Sequence, residues 1–338
     1  MPPLRPFVER AAERAALALA SVSALGAVAG LGGGFSGWLD VATHGAPLWL
    51  AGGAAAWLLA RLAARELPRR LAQTLGVVAV LAAAPVIWPE AMAPRSPKAP
   101  ADAPHQLRLI QFNAWDLNAD RPATIAWLLR ERPDIIAMEE AQGDIMDVLR
   151  DKAGYHVTCQ GGRPQWCTTA ILSLEAPLAG GLDDAALPGE VMPLTRARFA
   201  ASDGGDFTVV AAHFDWPTNP ARQADQRWRV AALIAASGPH ERMILAGDFN
   251  STPWSFARRS DDEAWGMERR TRGLFTWPSP SLRLLGLGWP LAFLPIDHVY
   301  AGRGWRTVSV VRGPVVGSDH YPVLVTLALA PESGRRRP

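Results

Sequence analysis

The run Met243-Ile-Leu-Ala-Gly-Asp-Phe-Asn250 decides how this chain is read. A short apolar stretch closed by glycine and turn-forming polar residues is the pattern of a buried strand. Asp248 and Asn250 then stand where the strand leaves its sheet. Other short runs share this design: Ile110-Gln-Phe-Asn113, Pro133-Asp-Ile-Ile-Ala-Met-Glu-Glu140 and Val209-Val-Ala-Ala-His213 each end on polar groups. Ile296-Asp-His-Val-Tyr300 begins with one, at Asp297, and Ser318-Asp319-His320 precedes the last strand. Polar residues at strand ends along one sheet edge are the usual place for a ligand.

Working outward, the pattern predicts strands over 107–112, 134–138, 155–159, 167–173, 207–214, 243–246, 297–300, 305–311 and 322–329. Helices are expected over 124–132, 143–151 and 221–236. Strands and helices alternate without a regular βαβ cadence, which argues for an α/β sandwich with mixed sheets. The strand-end groups are carboxylates, amides and two imidazoles, a set that suits Mg²⁺, with Mn²⁺ as a substitute. No HExxH motif or cysteine cluster offers a zinc site. Cys159 and Cys167 are the chain's two cysteines and flank the turn of an expected hairpin that contains Gly161, Gly162 and Pro164. Their spacing allows a disulfide.

The 338 residues carry a formal charge of +2, but the charge is uneven. Residues 105–330 hold 22 basic and 25 acidic side chains, whereas the tail 331–338 is basic. A domain gripping a nucleic-acid backbone carries a basic stripe, so nucleic acid is the less favoured partner. The first 92 residues contain three stretches free of Asp, Glu, Arg and Lys, at 15–34, 41–60 and 71–89. About 20 apolar residues cross a bilayer, so each qualifies as a span, and a signal peptide would explain only the first. Arg5, Arg10 and Arg14 precede span one, and Arg61, Arg65, Arg69 and Arg70 separate spans two and three. The 35–47 loop has neither Arg nor Lys. Basic flanks stay in the cytoplasm, so everything after span three is expected outside. The expected organisation is a three-span anchor (1–92), a tether (93–104) with Pro94, Pro97, Pro100 and Pro104, a catalytic domain (105–330) and the basic tail.

The Asn that ends the first strand, the Pro-Asp-Ile-Ile…Glu run, Gly-Asp-Phe-Asn, Ile-Asp-His and Ser-Asp-His occur here in one order. In this the chain resembles the endonuclease/exonuclease/phosphatase superfamily of metal-dependent phosphohydrolases. With Thr252-Pro-Trp-Ser255 and the upstream spans, it resembles the membrane-anchored bacterial branch. The resemblance implies a four-layer α/β sandwich of two mixed β-sheets flanked by helices. It implies a metal held by Glu140, Asn113 and Asp319, a water oriented by Asp248, and phosphoryl oxygens contacted by Asn250. Asp297 would pair with His320, and His213 would contact the phosphate. Glu139 stands where the family has Gln, so the assignment between Glu139 and Glu140 stays open. Asp215 lies near the site, and His298 is read as structural. The expected enzyme is a multi-pass protein of the bacterial cytoplasmic membrane, with the bilayer as partner and its site outside. It would act on phosphodiester, phosphomonoester or lipid-linked pyrophosphate bonds. An extracytoplasmic nuclease and a non-catalytic scaffold are the rival readings. The apolar stretch 281–294 is read either as an internal loop or strand or as a loop facing membrane or substrate.

Overall fold

Ala16, Ala20, Ala24 and Ala27 recur every three or four residues along the first helix, and all are buried. In the computed structural model, which describes residues 4–140, 143–159, 167–180, 193–237 and 240–330, they form the inside of an N-terminal helical bundle. Its helices are α1 (Leu4–Leu31), α2 (Gly37–Asp40), α3 (Ala46–Leu59) and α4 (Glu66–Met92). Ala56, Ala60 and Ala72 complete one small-residue cluster, and Ala79, Ala82 and Ala83 a second. The large side chains Val22, Leu25, Val28, Leu81 and Trp88 point outward. A water-soluble bundle does the opposite; small residues inside and large apolar ones outside are how helices pack in lipid. A Cβ on Gly76 would lie 2.6 Å from the carbonyl oxygen of Gly53, so α3 and α4 meet backbone to backbone.

Two helices, Phe7–Gly34 and Glu66–Met92, are long and apolar enough to cross a membrane by length and composition. The middle stretch makes the 14-residue α3, extended by 3₁₀ turns at Val41–Gly45 and Ala60–Leu62. At 1.5 Å per residue α3 alone covers about 21 Å, less than the roughly 30 Å hydrocarbon core. Of the three expected spans, two match helices long and apolar enough to cross a membrane, and the middle stretch forms a shorter helix. The chain divides into two compact units, and the helical unit comprises Met1–Pro94, Pro217–Ala221 and Ser251–Asp261.

In the second unit the elements run β1 (Gln106–Asn113), α5 (Arg121–Glu131), β2 (Ile135–Glu139), α6 (Gly143–Ala153), β3 (His156–Cys159) and β4 (Thr169–Ser173). Then come β5 (Ala179–Gly180), β6 (Leu194–Ala200), β7 (Asp206–His213), α7 (Pro220–Ala236) and β8 (Met243–Asp248), followed in the chain by α8 (Phe256–Ala264), most of which belongs to the helical unit. The last are β9 (Glu268–Arg269), β10 (Arg283–Leu284), β11 (Leu287–Gly288), β12 (Asp297–Ala301), β13 (Trp305–Arg312) and β14 (Val323–Leu329). One sheet has the order β13-β14-β1-β2-β4-β3 and the other β5-β6-β7-β8-β12-β9. Each contains one parallel pair, β1/β2 and β7/β8, joined by the helical crossovers α5 and α7. All other pairs are antiparallel.

Period-two alternation explains the layers. Leu107, Leu109, Ile135 and Ala137 of the first sheet meet Val209, Ala211, Ile244, Ala246 and Val299 of the second in one core. Their neighbours face out: Phe112, Ile136 and Met138 onto Trp127 of α5 and Leu149 of α6, and Val210 and Leu245 onto Val230 and Leu233 of α7. The result is the expected sandwich of two mixed sheets flanked by helices. The helices are locally encoded. Asp120 caps α5 by accepting from the Ala123 amide at 3.0 Å, and Arg132 ends it in the left-handed region at φ 42°.

Cys159 and Cys167 are disulfide-bonded, with Cα atoms 5.4 Å apart, across the β3/β4 hairpin. The turn residues Gly161, Gly162 and Pro164 and the tail 331–338 lie outside the described residues. Within the expected tether, the Ala99 amide donates to the Thr307 carbonyl at 3.0 Å, so this stretch partly pairs with β13. The contact between Gly53 and Gly76 gives a direct test of the bundle. Gly76→Val should push α3 from α4 and lower stability by about 1–3 kcal/mol, read as a fall in thermal unfolding temperature of the full chain in detergent. An unchanged midpoint would contradict the close approach.

Candidate active site

The inward-facing alternation that builds the core also builds the site. Along β1 the inward set Leu107, Leu109 continues to Gln111 and Asn113; along β2, Ile135 and Ala137 continue to Glu139. Along β8, Ile244 and Ala246 continue to Asp248, and along β7, Val209 and Ala211 continue to His213. Register aligns these ends. Asn113 pairs with Glu139, while Asp248 pairs with both His213 and Asp297. Polar residues thus replace apolar ones at the last turns of the inner faces of both sheets.

The Asn113 amide is one join. Its Nδ2 donates to Glu140 Oε1 and to Asp248 Oδ2, both at 3.1 Å, and its Oδ1 accepts from the Trp115 amide. Glu140 follows β2 in the left-handed region at φ 47°, which turns its side chain away from the path of Glu139. Its Oε2 accepts from the Asp116 amide at 2.9 Å. His213 Nε2 lies 3.9 Å from Glu140 Oε1 and 3.7 Å from Asp248 Oδ2. His320 Nε2 is 3.6 Å from Asp248 Oδ2, and its Nδ1 shares a 2.8 Å hydrogen bond with Asp297 Oδ2. Asn250, at φ 46°, donates its amide to Asp248 Oδ1 and its Nδ2 to the Phe214 carbonyl. Asp319 accepts from Trp277 Nε1 at 3.1 Å.

Glu139 has a different place. It is fully buried between the sheets, where Gln111 Nε2 bridges it to Asp297 at 2.7 and 2.9 Å. His298 faces outward and is buried against Phe249 and Tyr300. Asp215 pairs with Arg222 at 2.8 Å. Gln111, Ser318, Trp277 and the Phe214 carbonyl were not among the expected site groups. Ser318 Oγ donates to the Asn113 carbonyl and accepts from the His320 amide. Gln111 carried a signal, since it is a polar residue at an inward strand position.

Burial pushes the Asp248 carboxyl up to about 6; the Asp297 charge adds to this, while His320, His213 and the Asn250 amide pull back. Burial also raises Glu139 and Asp319. For His320, burial alone would lower the imidazole, but Asp297 and Asp248, with Asp319, outweigh it and hold the ring well above its ordinary value. Asp248, Asp297 and His320 carry ligand-type atoms within 4.8 Å of one another. Asp319 Oδ1 is buried and accepts no hydrogen bond among the described residues. Clustered hard oxygens with an unsatisfied carboxylate fit a divalent cation.

This burial sets a pH dependence. Folding raises Asp248 from 3.8 to about 6, so it favours the protonated form, and that stability is present below pH ~4 and lost as pH rises through ~6. In chelator, Asp248→Asn should match the wild type near pH 4 and unfold a few degrees higher at pH 7. Parallel melting-temperature profiles would contradict the assignment.

A model of the Endonuclease/Exonuclease/phosphatase family matches residues 110–320. Among solved structures, a family protein from Bacteroides thetaiotaomicron is 16% identical, with TM-score 0.53, over 67% of this chain and 96% of that one. A mannosyl-6-phosphatase of the same organism is 16% identical at TM-score 0.51, over 66% and 100%. D. rerio TDP2 complexed with a single-strand DNA product is 15% identical at TM-score 0.50, over 66% and 98%. No curated protein sequence matches. At these identities the structures speak for the fold, while the family pattern spans well over half of the chain. The chain therefore belongs to the endonuclease/exonuclease/phosphatase family and is a metal-dependent hydrolase of phosphoester bonds.

Proposed function

We propose that this hydrolase is a membrane-anchored, extracytoplasmic, Mg²⁺-dependent enzyme acting on a lipid-linked phosphate ester or pyrophosphate. The observation that carries the substrate class is the β10/β11 hairpin. Leu284, Leu285 and Leu287 are exposed on it, Leu285 to 95%, and Leu291 is exposed just beyond it. Its base is tied to the cluster: the Ser279 amide donates to the Asp319 carbonyl, Ser279 Oγ bonds the Ser318 carbonyl, and Trp277 holds Asp319. Exposed leucines beside a polar site suit a substrate with a lipid tail and a phosphate head. The slight acidity of residues 105–330 weighs against a nucleic-acid backbone, and the fold by itself does not choose among phosphoesters.

The anchor supports the orientation. Arg65 Nε donates to Glu13 at 2.9 Å, pairing the start of α1 with the α3–α4 connection at one end of the bundle. The α2 loop and the end of α4 share the other end, since α4 runs the full length. Arginines gather at the first end, which by the charge rule is cytoplasmic.

In the reaction we propose, Glu140, Asn113 and Asp319 would hold the cation. The Asp297–His320 contact at 2.8 Å is a hydrogen-bond length, so these two serve as a charge pair. When bound there, a divalent ion would supply positive charge against the phosphoryl group in the transition state. Asp248 takes the proton of the attacking water, and its raised value brings a base close to the working pH. His320, kept cationic by its carboxylates, and Asn250 stabilise the phosphoryl oxygens. His213 faces the same oxygens and protonates the leaving group.

The full chain in detergent with Mg²⁺ should hydrolyse a lipid pyrophosphate with kcat/KM at least about tenfold above single-stranded DNA. Glu140→Ala or Asp248→Asn should cut kcat by about 10²–10⁴-fold, and EDTA should abolish turnover. Undiminished activity in EDTA, or DNA as the best substrate, would overturn the reading. Leu285→Ser with Leu287→Ser should raise KM for the lipid substrate several-fold and leave bis-p-nitrophenyl phosphate hydrolysis unchanged; equal losses on both would contradict a lipid-facing hairpin.

A further inference from the structure

Directly after Asn250 the chain enters the helical unit. Residues Ser251–Asp261 belong to it, and within it they meet the α2 loop through a dense polar contact. Asp40, only 6% exposed, accepts from three groups of this segment: Ser255 Oγ at 2.7 Å, the Phe256 amide at 2.8 Å and the Ala257 amide at 3.0 Å. It thereby does the work of an N-cap for α8 from more than 200 residues away. Ser255, the residue at the helix start, spends its hydroxyl on Asp40 and on the Arg258 amide. His44 Nδ1 accepts from the Thr252 amide at 3.2 Å and faces Thr252 Oγ1 at 2.8 Å. An accepting Nδ1 fixes the neutral ring with its proton on Nε2. The fit is close. A Cβ on Gly33 would come within 2.7 Å of both Asp40 Oδ1 and the Phe256 ring. Farther along, Arg259 donates to the Val86 carbonyl at 3.1 Å.

The contact bears on the site through the chain itself. Thr252 is two residues from Asn250 and four from Asp248. Asn250 sits at φ 46°, in the left-handed region that Asn enters more readily than other non-glycine residues, and its contacts fix it there. On one side the hold comes from the Asp248 carboxylate and the Phe214 carbonyl. On the other it comes from the anchored run from Thr252 to Ala257. We infer that Asp40 and His44 of the membrane anchor are positioning residues for the hydrolase. By clamping this run they hold Asn250, and with it Asp248, in working geometry. The anchor is then part of the catalytic apparatus as well as a tether. This rests on Asp248 and Asn250 acting as proposed above, so the test includes a readout independent of turnover.

The experiment uses the full chain in detergent with Mg²⁺ and a soluble phosphoester, bis-p-nitrophenyl phosphate, so that access to lipid plays no part. Asp40→Ala should lower kcat at least tenfold with KM within twofold. Asp40→Asn, which keeps one acceptor oxygen, should fall between it and the wild type. Hydrogen exchange of the 250–257 amides should quicken in Asp40→Ala while β1 and β8 stay protected. Should Asp40→Ala fail to fold, His44→Ala and Ser255→Ala carry the test, each with a kcat loss of about threefold or more. The pair Asp40→Asn/Ser255→Ala should be non-additive in kcat. Unchanged kcat in these variants, additive losses in the pair, or a kcat loss without faster exchange at 250–257 would overturn the inference. Faster exchange in a protein whose wild type hydrolyses nothing would instead count against the catalytic reading and leave the clamp standing.

Discussion

Two side-chain amides of β1, Asn113 and Gln111, join the two sheets at the site. Asn113 ends a strand of one sheet and donates to Asp248, which ends a strand of the other, and to Glu140 beside it. The geometry has no freedom to be otherwise. Inward residues recur every second position, so a strand with an apolar inner face must aim its final inward residue at the same gap. A one-residue slip of β1 would turn Gln111 and Asn113 outward and remove the join.

That arrangement buries charge, and buried charge needs partners. Glu139, Asp248 and Asp297 are all at most 1% exposed. Gln111 satisfies two of them, Asn113 the third, and His320 supplies a cation between Asp248 and Asp297. The protein's own groups still leave an acidic oxygen over, with Asp319 Oδ1 buried and without a hydrogen bond among the described residues. An electrostatic imbalance of this sign at a strand-end edge is what a divalent cation and a phosphate bound together would correct.

Much of this was legible in the sequence, for a physical reason. A buried strand must be apolar, so a polar residue closing it stands out, and the expected residues Asn113, Glu140, His213, Asp248, Asn250, Asp297, Asp319 and His320 all come together. What sequence could not separate was Glu139 from Glu140. The left-handed turn at Glu140 sends the two side chains to different places, and no local pattern announces it. Strand β6 escaped because its outward positions carry Arg196 and Arg198, which hide a short alternation. Helix α8 escaped because its charged residues crowd into a short run with few apolar positions, and its Ser255 cap is completed only by the distant Asp40. In the helical unit each of three apolar stretches reaches span length in the sequence, yet the middle one forms the short α3 between its 3₁₀ turns.

The proposed cation site is at Glu140, on the edge that Asn113 organises, and not at the buried Glu139. Mn²⁺ titration of chelator-stripped full-length protein, followed by electron paramagnetic resonance of the free ion, tests it without substrate. The account predicts that Glu140→Gln weakens Mn²⁺ binding at least about tenfold while Glu139→Gln keeps wild-type affinity. Equal binding by wild type and Glu140→Gln, or loss of binding in Glu139→Gln alone, would contradict it.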